Sequence, residues 1–82
     1  MKVVVHLFGP QAQLVGETRV TVHLPDDAPT CGALRTALAR EAPSLASSLA
    51  TSRFAVNHEF ADDDQRVADG DEVALIGMVS GG

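Results

Sequence analysis

Apolar residues alternate with others in several short stretches of the chain and recur at near-helical spacing in one. Over residues 2–8, Val3, Val5 and Leu7 fall on one side of a predicted strand and Val4, His6 and Phe8 on the other. Both sides are fairly apolar, which suits a central strand or one whose outer face meets a partner. Gly9-Pro10 breaks the run, and Gln11 to Val15 is expected to form a short turn with Leu14 and Val15 inward. Residues 18–24 predict a second strand, antiparallel to the first because the link is short, with Val20, Val22 and Leu24 inward of Thr21 and His23. Pro25-Asp26-Asp27 ends it.

Thr30 is a suitable helix N-cap, and Cys31, Leu34, Leu38 and Ala42 form the inward stripe of a helix that Pro43 stops. Leu45 and Leu49 suit a short helical turn under the core. Phe54 to Val56 reads as a third strand, Asn57-His58-Glu59 as a turn, and Phe60 leads away from it. Asp62-Asp63-Asp64 and Asp69-Gly70 are solvated turns. The last strand runs from Asp71 to Ile76, with Val73 and Leu75 inward and Ala74 and Ile76 outward.

Two strands, a helix crossing one face, then short strands make a two-layer α+β domain. The economical arrangement sets the last strand parallel to the first through the helical crossover. This is the β-grasp fold: a mixed four- to five-stranded sheet with one main helix packed on one face. The expected division is a domain over residues 1–76 and a flexible tail over 77–82.

Composition narrows the function classes. A single domain of 82 residues buries only about 60% of its unfolded surface, so no internal cofactor site is expected and function belongs on a surface or an end. Eleven acidic residues against six basic ones, a net charge of −5, argue against nucleic acid and suit basic protein partners. The lone Cys31 forms no internal disulfide and reads as a small buried hydrophobe of the helix stripe, not a reactive thiol. The opening MKVVVHLFGP lacks a signal-peptide cleavage pattern, and no run approaches the ~20 apolar residues of a membrane helix, so a cytoplasmic protein is expected. His6, His23 and His58 lie in separate elements without metal-site spacing, and the aspartate triplet lacks the later glycine and glutamate of a calcium loop. No phosphate loop or catalytic triad is present, and no metal is expected.

The chain resembles the molybdopterin synthase small subunit family, among the ubiquitin-like sulfur carriers, over essentially its whole length. The resemblance rests on MKVVVHLFG, on LVGETRVTVHLPDDAPTCGALRTAL, and above all on Ala55-Val56-Asn57, Asp69-Gly70-Asp71-Glu72-Val73-Ala74 and Val79-Ser80-Gly81-Gly82. It departs from the family at Gly77-Met78, where two prolines are common, and at Gly9-Pro10-Gln11, where a basic residue is common.

The resemblance implies that Gly82 is adenylated by a ubiquitin-activating-type enzyme that uses ATP, then thiocarboxylated. Val79, Ser80 and Gly81 would insert into the synthase large subunit, which supplies the active site, and the tail would donate sulfur to a cyclic pyranopterin in molybdenum cofactor biosynthesis. This chain would be a non-catalytic sulfur-donor subunit. Glycines, lacking Cβ, pass a narrow channel, and six tail residues at ~3.3 Å each reach about 20 Å. Alternatives from the same tail are a carrier for thiazole, cysteine or tRNA thiolation, a protein modifier, or a plain interaction module. Val4, Phe8, Ala74 and Ile76 should share the outer sheet face as a partner interface, extended by Phe60 and Met78.

Overall fold

Alternation along β1 (Lys2–His6) buries Val3 and Val5 and leaves Lys2 and Val4 outward. The same parity in β2 (Arg19–His23), β3 (Ser52–Val56) and β5 (Val73–Gly77) buries Val22, Phe54, Val56, Val73 and Leu75. The structure, a computed structural model, describes residues 1–78. With β4 (Glu59–Ala61) these strands form one five-stranded mixed sheet in the order β2-β1-β5-β3-β4. β1 and β5 run parallel at its centre, and every other neighbouring pair is antiparallel. The α+β β-grasp arrangement expected from the element order is the one observed.

One face of the sheet is covered by α2 (Cys31–Glu41), which buries Cys31, Leu34 and Leu38. Thr30 caps it: its hydroxyl accepts from the Ala33 amide at 3.1 Å. A 3-10 turn (Pro43–Leu45) and α3 (Ala46–Leu49) follow and close the core with Leu45 and Leu49. Full burial of a side chain such as Leu34 or Leu38 contributes about 1.5–3 kcal/mol.

Three local expectations are corrected. The segment after β1 is a helix, α1 (Gly9–Val15), in which Gln11 is buried and Leu14 is 56% exposed. Gln11 takes the inward position through its bond to the Ser52 hydroxyl, and Leu14 faces solvent. The turn expected over Asn57-His58-Glu59 is shorter: Glu59 already belongs to β4, where Phe60 pairs with Ala55. Asn57 and His58, both at positive φ (52° and 71°), make the two-residue turn that returns the chain. Finally, β5 extends past Ile76: Gly77 pairs with Ser52, and the Met78 amide donates to the Thr51 carbonyl at 3.0 Å. Ordered pairing therefore reaches into the expected tail.

Candidate functional site

The sheet face opposite α2 carries the outward residues of all five strands. Cross-strand register sets Ala74 of β5 beside His6 of β1 and Ala55 of β3, with Phe60 of β4 beyond. Phe8, just past β1, joins Ile76, Ala74, Ala55 and Phe60 around an open apolar groove. Phe8 is 58% and Phe60 53% exposed, large values for aromatic side chains. The Arg53 guanidinium lies 4.8 Å from the Phe60 ring centroid and 3.5 Å from an Asp62 carboxylate oxygen.

His58 and Glu72 form the polar rim of this groove, 3.1 Å apart. His58 is placed by the β3–β4 turn and Glu72 by the turn before β5, and the two turns are hydrogen-bonded to each other. Asp71 accepts from the Ala68 amide at 2.8 Å and from the Asn57 side chain at 3.0 Å, and Asn57 in turn accepts from the Glu72 amide. The Ala68 hydrogen bond first, and the Asn57 one second, hold the Asp71 carboxyl below its usual pKa.

A second groove surrounds the end of β5, between Phe8–Gln11, Ser48–Ser52 and Ile76–Met78. Its floor is a buried polar chain. The Gln11 amide donates to the Ser52 hydroxyl at 2.7 Å, which donates to the Ser48 carbonyl at 2.7 Å. Gly77 lies against that amide: a Cβ there would sit 3.6 Å from Gln11 Nε2, an ordinary contact. The chain thus leaves the sheet at a point pinned by β3, α1 and the end of α3.

The predicted interface residues divide accordingly. Phe8 and Ile76 line both grooves, Phe60 and Ala74 the first, and Met78 the second. Val4 is outward but stands apart, opposite Thr21 and level with the turn before β5. Val79, Ser80, Gly81 and Gly82 lie outside the described residues. Ala55, His58, Glu72, Gln11 and Ser52 were not anticipated. Asn57-His58 offered a signal for the first three, since asparagine favours the positive φ of a tight hairpin.

Cys31 is fully buried, and burial pushes its thiol pKa up; Asp63 adds to the rise and Arg35 opposes it. A buried thiol of raised pKa is a poor nucleophile. Asp63 is more than a solvated turn residue: it accepts from Arg35 at 3.0 Å, while Arg35 also donates to the Leu49 and Ser52 carbonyls. Among the described residues no group of three His, Cys, Asp or Glu could hold a metal ion, and no helix is long and apolar enough to cross a membrane.

The family model for the ThiS family matches residues 5–82. The chain belongs to the ThiS family. Within it, the chain is 35% identical to the "Molybdopterin synthase sulfur carrier subunit" of Dictyostelium discoideum, with 93% of this chain and 91% of that one covered. Among solved structures it is similar to SAMP1 from Haloferax volcanii, with a TM-score of 0.85, 30% identity and both chains fully covered. It is also similar to a chain of the complex of subunits 1 and 2 of molybdopterin-converting factor from Helicobacter pylori 26695, with a TM-score of 0.68, 26% identity and both chains fully covered.

Proposed function

We propose that this ThiS-family chain is the sulfur carrier subunit of a molybdopterin synthase, with Gly82 as the residue that carries sulfur. The observation that carries the reading is the near full-length match to a relative of that name, in a family match that includes Gly81-Gly82. The geometry suits it. A central strand flanked on both sides ends beside an exposed apolar groove, so a partner gripping Phe8, Phe60 and Ile76 also receives the chain leaving β5.

The chemistry follows from the terminal carboxylate. With a pKa of about 3.5 it is ionised at neutral pH and a poor electrophile. An adenylating enzyme joins it to AMP from ATP, releasing pyrophosphate, and a sulfur donor displaces AMP to leave a thiocarboxylate. The large subunit, the kind of partner seen in the Helicobacter pylori complex, takes the tail and supplies the acid–base groups that pass sulfur to a cyclic pyranopterin. The setting is the cytoplasm, whose reducing conditions suit a fold with a free thiol and no disulfide.

The test is the intact mass after incubation with ATP, an activating enzyme and a sulfide source, beside a variant lacking Gly82. A gain of one sulfur for one oxygen, absent in the variant, is expected. No gain with an activating enzyme that loads another carrier refutes the reading.

A second reading has its own support: the likeness to SAMP1, described as a small archaeal modifier protein. The same activated Gly82 would then form isopeptide bonds with lysines. Covalent ladders in cell extracts, lost with Gly82, would favour it.

A further inference from the structure

Among the described residues two polar side chains are buried, Gln11 and Ser52, and they are bonded to each other. The pair sits where the chain leaves β5. Ser52 begins β3 and stands opposite Gly77, the last residue of β5. The Gln11 amide lies over Gly77: its nitrogen, carbon and oxygen would all stand 3.6–3.8 Å from a Cβ placed there. Through the Ser52 hydroxyl, which donates to the Ser48 carbonyl, the same chain of bonds reaches α3.

A second observation is energetic. Gln11 is the one buried residue of α1. Burying an amide is unfavourable unless it is hydrogen-bonded, and an apolar side chain would fill the same place without that cost. What the amide adds is direction. A hydrogen bond fixes distance and angle, whereas apolar burial is non-directional. Gly77-Met78 has little stiffness of its own, since glycine has the widest backbone freedom and Met78 is 44% exposed. The two residues are held by the Met78 amide, which donates to the Thr51 carbonyl at 3.0 Å, and by the Gln11 amide over Gly77.

We propose that Gln11, bonded to Ser52, is a positioning residue: it sets the direction in which the chain leaves β5, so that the Gly82 carboxylate reaches the activating enzyme with less ordering left to do. The proposal deepens the carrier reading and rests on it. Gln11 acts through Gly77 and Met78, not on the reacting carboxylate. Each exit residue left free must be ordered when the enzyme takes the chain, which weakens binding roughly five- to thirtyfold per residue.

The experiment has two readouts. One is pyrophosphate release by an activating enzyme, with ATP and a sulfide source, as the carrier concentration is varied. The other is hydrogen exchange of the Met78 amide in the free carrier. Gln11→Met keeps an unbranched side chain but cannot donate to Ser52, whose hydroxyl keeps its bond to the Ser48 carbonyl. Gln11→Ala also empties the space over Gly77. Thr30→Ala removes the cap of α2, which lines neither groove, and controls for lost stability. Both Gln11 variants should speed Met78 exchange roughly tenfold while the middle of the sheet stays protected. Both should raise the KM for the carrier roughly fivefold or more with kcat unchanged, the mark of lost binding that serves ground and transition states alike. Thr30→Ala should keep the wild-type KM. If both Gln11 variants also keep it, the positioning role falls and the carrier reading stands, because wild type is processed. A raised KM with Met78 exchange unchanged would mean that Gln11 meets the enzyme itself, and an equal rise in Thr30→Ala would trace the loss to stability; either overturns the proposal. No pyrophosphate release from wild type, with an enzyme that acts on another carrier, removes the carrier reading as well.

Discussion

Removing the Ser52 hydroxyl should destabilise the domain, and removing its partner as well should restore much of the loss. Ser52 is 4% and Gln11 6% exposed, and the 2.7 Å bond between them ties α1 to the start of β3. In Ser52→Ala the Ser48 carbonyl keeps other donors, the Thr51 amide and hydroxyl, both at 3.2 Å. The Gln11 amide loses its partner while buried. Leaving a buried donor unsatisfied costs about 1–3 kcal/mol, whereas replacing both partners by apolar groups is nearly neutral. The double variant Gln11→Leu/Ser52→Ala should therefore be more stable than Ser52→Ala alone. For a domain of this size each kcal/mol corresponds to roughly 4–8 °C in Tm. Thermal and urea unfolding of wild type, both single variants and the double variant complete a double-mutant cycle. A double variant no more stable than Ser52→Ala would refute the reasoning. It would mean that the Gln11 amide finds another acceptor or a water, and that the exit of β5 is not held by this pair.

Other consequences can be checked with the same protein. Asp71 has a folded pKa below its unfolded value, so its contribution is complete above the unfolded value of about 3.9 and is lost as pH falls through the folded one. The Tm difference between wild type and Asp71→Ala should thus shrink as pH falls from 5 toward 2; a constant difference would contradict the hydrogen bonds from Ala68 and Asn57. Cys31, fully buried with its pKa raised, should resist iodoacetamide at neutral pH and react only as the domain unfolds. Rapid labelling of the native chain would show that α2 opens locally.

The larger features were legible because they rest on period and on residues with a single conformational meaning. Alternation in β1 and β2, the Thr30 cap, the stripe from Cys31 to Ala42 and the stop at Pro43 all depend on neighbours within a few positions. Two features were not legible, the burial of Gln11 and the strand β4 that carries Phe60, and for one reason. Gln11 is polar, so hydropathy pointed to Leu14 as the inward residue of its segment. The burial of Gln11 is set by Ser52, 41 residues away. Phe60 follows a turn whose return path depends on Asn57 and His58 taking positive φ and on Asp71 and Glu72 bonding back to Asn57. Both are long-range polar arrangements, which a local apolar pattern does not encode.

Net charge misdirects for a related physical reason. Averaged over the chain, −5 suits basic partners. Docking, however, is decided within about a Debye length of the contact, ~8 Å at physiological salt. The acids lie overwhelmingly outside the strands, and of those in the loop before β5, Asp69 and Asp71 stand beside Lys2, and Glu72 on the rim of the apolar groove. What a partner meets is set by which loops and strands border the contact, not by the sum. Strand parity puts Ala55, Ala74 and Ile76 on the outward sheet face, so the pattern that builds the core on one side composes the candidate interface on the other.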